Sequence, residues 1–161
     1  MGLRSIGMML VLFFQPLALC GVRAEIKRVA FTSVYVTNLD RAKDWYTQKL
    51  GFVVAEDSGF GPDPSDRWLT VRATGDANFG LLLRLGRPVG RQINHPNLPE
   101  VIFDSITDDL LETAAALKAR GVTFAQEPTH TPWGVFEAMI VDQDGQGIAI
   151  AEEKPVAKNR R

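Results

Sequence analysis

The stretch that decides the fold is Val34–Phe52, which reads VYVTNLDRAKDWYTQKLGF. The β-branched and aromatic residues at its start predict a strand over Ile26–Val36. Asn38 can cap the helix that follows, and Asp40 favours its first turn. Apolar residues then recur at helical spacing as far as Gly51, which suits a left-handed cap at the end of a helix. The stretch therefore predicts a strand, a one-sided helix and a return to extended chain.

A second stretch repeats this order later in the chain. Asp109 and Glu112 have the spacing of an N-terminal capping box, and an apolar stripe follows them. Gly121 ends the second helix as Gly51 ends the first, and an extended segment follows each glycine. The similarity of the two stretches indicates an internal duplication.

Further extended segments complete each half. The sequence predicts strands over 52–56, 67–72 and 78–84, and then over 101–106, 122–125, 135–141 and 147–151. Loops are predicted over 58–66 and 128–134, Asp144-Gly145 marks a hairpin turn, and 86–99 joins the halves.

The predicted fold class is α+β, with two paired βαβββ units that form a curved sheet around a cleft. A helix covers one face of each small sheet, so the other face needs a partner in water. The alternative is a ferredoxin-like fold without a cleft, which four strands in each half disfavour.

The first residues differ from the rest of the chain. Arg4 precedes an apolar run over 6–19, and Val22-Arg23-Ala24 has small or aliphatic residues where a signal peptidase reads. We therefore expect a signal peptide over 1–24, a domain over 25–153 and a secreted or periplasmic protein. An uncleaved anchor is the alternative, although the run is short for a membrane span and contains Pro16.

The single cysteine, Cys20, lies inside the expected leader, so a cleaved protein would have no thiol. Acylation of Cys20 is a further alternative, but Leu19 stands where a small residue is normally needed. The membrane is thus a partner only through an uncleaved or lipidated N-terminus. The formal net charge of -1 argues against nucleic acid as a partner. The basic tail over 154–161 is expected to be disordered.

Three stretches together resemble the vicinal-oxygen-chelate superfamily of glyoxalases, bleomycin-resistance proteins and extradiol dioxygenases. They are the opening stretch 34–52, the second-helix stretch 117–122 and the closing hairpin 142–145, and the match covers Ile26–Glu152. The resemblance implies the paired units described above and a homodimer. It does not imply one activity, because the superfamily includes isomerases, dioxygenases, thiol transferases and antibiotic-sequestering proteins.

The resemblance also implies four positions for the ligands of a divalent metal, usually His or Glu. They fall on Phe31, Gly80, Val101 and Ala149, with Glu100 in place of Val101 if the register shifts by one. None of the four side chains carries a donor atom, whereas such a site needs oxygen or imidazole ligands. We therefore expect no metal and no other cofactor, and a relocated divalent metal is the alternative.

Strand alternation places further side chains on the same face as Phe31 and Gly80. Mostly apolar walls with a few polar anchors are typical of a small-molecule site, with the arginines as counter-ions. The alternatives are that these side chains fill the space or that a second subunit covers it. The predicted ligand-binding residues are Phe31, Ser33, Tyr35, Trp68, Arg72, Leu82, Arg84 and Trp133.

His95 and His130 both fall in predicted loops, where surface histidines are common. By resemblance the loop of His130 lies beside the cleft, which makes His130 a weak candidate for an acid or base. A new metal site formed by His130 with Glu100, Glu137 or Glu152 lacks recognisable ligand spacing.

Three functions remain open from the sequence. The preferred one is a metal-free module that binds a small, partly aromatic molecule in the cleft. The second is an enzyme: a lyase or dioxygenase with a relocated metal, or a metal-independent catalyst using His130. The third is a dimeric scaffold.

Overall fold

A computed structural model describes residues 26–63, 65–88 and 98–153. The expected leader over 1–24, the expected tail over 154–161 and His95 lie outside the described residues.

The first half contains one helix and one four-stranded sheet, here called sheet A. Its strands are ordered β1-β4-β3-β2, with β1 parallel to β4 and the other neighbours antiparallel. The elements are β1 (Phe31–Val36), α1 (Leu39–Gln48), β2 (Val53–Gly59), β3 (Arg67–Arg72) and β4 (Gly80–Leu85).

The second half repeats this topology in sheet B, with the order β5-β8-β7-β6 and β5 parallel to β8. The predicted doubled βαβββ order is confirmed, as two separate sheets of four strands each. The elements are β5 (Val101–Thr107), α2 (Leu110–Ala119), β6 (Thr123–His130), β7 (Phe136–Val141) and β8 (Gly147–Glu152).

The helix ends follow the predicted capping signals. The Oδ1 atom of Asn38 accepts a hydrogen bond from the Arg41 amide at 2.8 Å, and Asp109 does the same for Glu112. Gly51 has a φ of 74° and Gly121 a φ of 73°, so both occupy the left-handed region that glycine adopts without strain.

One apolar core connects the two halves on the helix side of both sheets. Alternate residues of several strands, such as Val34, Val36 and Ile148, pack there with α1 and α2. Tyr46 of α1 is fully buried, and its ring lies 6.4 Å from that of Phe103 in β5. The two halves therefore pack on each other within one chain.

The structure moves some predicted strand ends. β1 begins at Phe31 rather than Ile26, and β2 continues to Gly59. β6 continues to His130, into a segment that the sequence predicts as loop, because Thr129 and His130 pair with the start of β7. The turn that remains is short, and the Thr131 hydroxyl closes it by accepting from the Val135 amide at 2.9 Å.

The two described helices are each ten residues long. Neither is long and apolar enough to cross a bilayer.

Candidate functional site

The sheet faces that α1 and α2 do not cover carry the predicted site. In β1, Val34 and Val36 are buried in the core while Phe31, Ser33 and Tyr35 are exposed. Because strand residues alternate, these three side chains lie on the side away from α1. We call this side of each sheet its helix-free face.

Phe31 and Gly80 are direct neighbours on the helix-free face of sheet A. They are paired across β1 and β4, and the Phe31 ring lies over Gly80. A Cβ atom at Gly80 would stand 3.4 Å from the Phe31 ring and 3.0 Å from the Val71 carbonyl oxygen. The Phe31 ring also meets Trp68 of β3 edge to face, with centroids 6.1 Å apart. The aromatic pair thus occupies the space that a larger residue at Gly80 would take.

The centre of this face is closed. Ser33 pairs with Leu82 and Tyr35 with Arg84, which brings these predicted residues together. Leu82 is only 7% exposed and the adjacent Thr70 1%, although both lie on the side without a helix. Phe31 and Tyr35 remain 43% and 39% exposed. The face therefore presents aromatic surface over a filled centre.

Sequence reasoning missed Glu56, which joins this face from β2. An irregularity between Val54 and Glu56 shifts the register, so that Glu56 pairs with Thr70 and Ser58 with Trp68. The Ser58 hydroxyl donates to the Glu56 carboxylate at 2.9 Å. The alternation of side chains along β2 does not reveal this register shift. The sequence has no glycine between Val54 and Glu56 that would mark a β-bulge.

The corresponding positions in sheet B are also without polar side chains. Val101 pairs with Gly147, and Ala149 pairs with Asp104. The two ligand positions that the resemblance implies in this half, Val101 and Ala149, are therefore not cross-strand partners. A Cβ atom at Gly147 would stand 2.9 Å from the carbonyl oxygen of Glu100, so this position is closely packed as well.

The residues at the four implied ligand positions do not fit a divalent metal. Phe31, Gly80, Val101 and Ala149 offer no side-chain nitrogen, oxygen or sulfur. Among the described residues, no three His, Cys, Asp or Glu side chains come close enough to hold a metal ion.

The structure separates the residues of the relocated-metal alternative. His130 stacks on Phe136 with ring centroids 4.5 Å apart, and Phe136 packs against the core. Glu152 accepts a hydrogen bond from the Leu110 amide at the start of α2, at 3.0 Å. Glu137 pairs with Ala151 on the opposite, helix-free face of sheet B. His130 therefore does not reach the face that holds the predicted ligand residues.

Two other predicted residues lie away from the aromatic pair. Trp133 is 70% exposed in the turn between β6 and β7. Arg72, at the end of β3, lines a cavity of about 650 Å³ between the two halves. Its Nη1 atom donates to the carbonyl oxygen of Asp76 at 3.3 Å.

The two sheets approach each other where β1 meets β5. A pocket of about 190 Å³ lies at this seam, between Ser33 and Tyr35 on one side and Glu100 and Val101 on the other. The side-chain amide of Gln146 crosses the seam and donates to the Tyr35 carbonyl oxygen at 3.1 Å. The pocket is smaller than a typical ligand site of roughly 300–1,000 Å³.

A buried polar contact fixes sheet B against α1. The Tyr46 hydroxyl donates to Asp142 at 3.4 Å, and the Gln146 side chain donates to the same carboxylate at 2.9 Å. Burial raises the pKa of Asp142 above its usual value, and the hydrogen bonds from Gln146 oppose that rise. Burial and the neighbouring carboxylate also raise the pKa of Tyr46.

Asp144 extends this contact to the start of α1. Its carboxylate accepts from the Thr37 amide at 3.0 Å and forms an ion pair with Arg41 at 2.5 Å. Burial alone would raise the pKa of Asp144, but the bonds from Thr37 and Gln143 together with the Arg41 charge lower it below its usual value.

Comparison with known proteins gives consistent matches across the chain. The family profile described as the glyoxalase/bleomycin resistance protein/dioxygenase superfamily matches residues 26–150. The protein YurT of Bacillus subtilis (strain 168) is 32% identical over 132 residues, which cover 78% of this chain and 99% of YurT.

Solved structures agree with the family match. The crystal structure of TnmS3, an antibiotic binding protein from Streptomyces sp. CB03234, is similar with 31% identity and a TM-score of 0.63. That match covers 80% of this chain and 98% of TnmS3. A member of the same superfamily from Sphaerobacter thermophilus DSM 20745 is similar with 29% identity and a TM-score of 0.64, over 80% of this chain and 98% of that one.

Proposed function

The chain belongs to the glyoxalase/bleomycin resistance protein/dioxygenase superfamily, and on that basis we propose that it binds a small, partly aromatic molecule on the helix-free face of sheet A without a metal. The observation that carries the proposal is the aromatic pair, Phe31 over Gly80 and edge-on to Trp68, at the place where the superfamily resemblance implies metal ligands. Exposed rings in that place favour stacking on an aromatic ligand.

The similarity to TnmS3 supports a binding role over catalysis. TnmS3 is an antibiotic binding protein, and this chain covers nearly all of it at 31% identity. We propose that the ligand here is also an antibiotic-like compound, held by Phe31, Tyr35 and Trp68, with Arg84 near any anionic group.

A second copy of the chain would complete the site. The seam pocket of about 190 Å³ is too small for a drug-sized ligand, whereas the exposed rings of Phe31 and Tyr35 offer apolar surface for another protomer to cover. We therefore propose a homodimer in which the ligand lies between the two protomers. Light scattering would contradict this arrangement if the protein stayed monomeric at the concentration where ligand binds.

Ligand binding is best tested by tryptophan fluorescence and thermal shift against bleomycin and a panel of polycyclic aromatic antibiotics. We expect one compound to quench Trp68, and Phe31→Ala to weaken its binding at least tenfold, about 1.4 kcal/mol. Trp133→Phe serves as the matched control, because Trp133 lies in an exposed turn and its loss should leave affinity unchanged.

Two outcomes would contradict the proposal. One is the absence of any quenching or thermal shift across the panel. The other is binding that disappears with EDTA and returns with a divalent ion, which would instead favour the relocated-metal enzyme.

We further propose that the protein acts outside the cytoplasm, from the leader pattern over 1–24. Cell fractionation with N-terminal sequencing of the purified protein tests this, and an intact Met1 in the soluble cytoplasmic fraction would contradict it.

A further inference from the structure

The cavity between the two halves has mostly apolar walls. It measures about 650 Å³ and lies on the helix side of sheet B, and neither Phe31 nor Trp68 lines it. Its walls include Phe52, Phe103, Leu117, Ile148 and Ile150. This volume falls within the range of roughly 300–1,000 Å³ that is typical of small-molecule sites.

The cavity occupies one of two related junctions between the halves. At the closed junction, Tyr46 of α1 reaches Asp142 at the end of β7, and Asp144 ties the following turn to Arg41. At the open junction, Leu117 of α2 and Arg72 at the end of β3 both line the cavity. Leu117 stands eight residues after the capping residue Asp109, as Tyr46 does after Asn38.

The second junction has Leu117 at the position that Tyr46 occupies in the first. Its side chain there is therefore smaller and lacks the hydroxyl group. The charges differ as well, since Glu112 stands in α2 where Arg41 stands in α1. Glu112 cannot form an ion pair with Asp76, the acidic residue of the β3–β4 turn that lines the cavity. The side chains that seal the first junction therefore have no equivalents at the second.

Three hydroxyl groups in the wall are already bonded to the protein. The hydroxyls of Thr107 and Thr113 lie 2.6 Å apart, and Ser105 donates to the Ala149 carbonyl oxygen at 2.9 Å. Water in a cavity needs two to four polar partners, so these walls hold it poorly. The lining also includes Arg72, Asp76 and Asp104, which are two carboxylates and one guanidinium.

We propose that this cavity is a second binding site, which takes an uncharged, mostly apolar molecule of drug-like size. Apolar walls favour such an occupant, and two carboxylates beside one guanidinium disfavour an anion. The site is distinct from the aromatic pair, because Phe31, Tyr35 and Trp68 do not line it, although Gly80 borders both.

The test uses the uncharged fluorescent probe N-phenyl-1-naphthylamine with the purified protein. We expect its fluorescence to rise on binding. Leu117→Tyr should weaken that binding at least tenfold and raise the melting temperature by a few degrees, because it fills the cavity. Leu111→Tyr is the matched control, since Leu111 is 63% exposed on the same helix and its exchange should change neither quantity.

Two further variants keep the result interpretable. Thr113→Phe fills the cavity from another point of α2 and decides the matter if Leu117→Tyr does not fold. Phe31→Ala should leave probe binding unchanged, which separates this site from the proposed ligand site on sheet A.

The proposal would be overturned if the wild-type protein did not enhance the probe, if both filled variants bound it normally, or if Phe31→Ala abolished binding. The anionic probe 1-anilinonaphthalene-8-sulfonate tests the ligand class. We expect it to bind at least tenfold more weakly, and tighter binding than the uncharged probe would overturn the assignment to uncharged molecules.

Discussion

The closed junction and the open junction have the same backbone topology but differ in how well side chains fill them. Each lies where the helix of one half meets the connection between the third and fourth strands of the other, and both halves have the same strand order. Tyr46 and Asp142 seal the first with a buried hydrogen bond, whereas Leu117 and Arg72 leave the second as a cavity. The duplicated topology therefore fixes where the halves meet, and individual side chains decide whether the contact is filled.

The largest expected effect comes from breaking the closed junction. Asp142→Ala leaves the Tyr46 hydroxyl and the Gln146 side chain without their buried acceptor, so unfolding should need about 2–3 kcal/mol less free energy. Urea denaturation measures this loss. Asp76→Ala at the open junction is the matched control and should cost less than about 1 kcal/mol, because Asp76 is exposed and only caps its own turn. Equal losses at the two junctions would contradict the contrast drawn between them.

The two helix–strand joints should behave alike, since they are the feature that the halves share most closely. Gly51→Ala and Gly121→Ala each place a residue with a Cβ atom in the left-handed backbone region. Each should therefore lower the free energy of unfolding by about 1–2 kcal/mol. Thermal unfolding of both variants tests this, with Gly75→Ala as a control that has open space around it. A difference above 1 kcal/mol between Gly51→Ala and Gly121→Ala would show that the joints are not equivalent.

The smallest expected effect concerns the ion pairs that attach each helix to its edge strand. Arg67 bonds Asp57 through two nitrogens, at 2.6 and 2.7 Å, and also reaches Asp40 at 2.7 Å. In the other half, Lys118 contacts Glu127 as an exposed pair. At pH 7, Arg67→Ala should lower the free energy of unfolding by about 1 kcal/mol, and Lys118→Ala should lower it by less than about 0.5 kcal/mol. These values are typical of a bidentate and a single surface ion pair, respectively.

The pH dependence of the Arg67 variant provides a sharper check. Hydrogen bonds from Arg67 lower the pKa of Asp57 from 3.8 to about 2 in the folded protein. A lowered carboxyl pKa stabilises the fold above the unfolded value and loses that effect as the pH falls through the folded value. The stability difference between wild type and Arg67→Ala should therefore shrink from pH 5 towards pH 2. A constant difference across this range would count against the ion pair as its cause.

The sequence predicted the fold well because its signals are local. Asn38, Asp109, Gly51 and Gly121 each act through the backbone within a few residues, so the helix ends follow from residue type alone. The expected pairing of halves is likewise a requirement of any one-sided sheet.

The candidate site was harder to predict because it depends on register. Phe31 and Gly80 could be placed on one face by alternation, but the register shift in β2 hid Glu56. The position of His130 depends on how far β6 extends, which no residue pattern marked. The cavity at Leu117 and Arg72 could not be foreseen, because it arises from tertiary packing between residues distant in sequence.

The close packing around Gly80 also limits which side chains this position can accept. A Cβ atom at Gly80 would stand 3.0 Å from the Val71 carbonyl oxygen and 3.4 Å from the Phe31 ring, so the tighter contact is with the backbone of β3. A smaller residue at Phe31 alone would not relieve that contact, so a carboxylate at Gly80 would also need the backbone of β3 to shift.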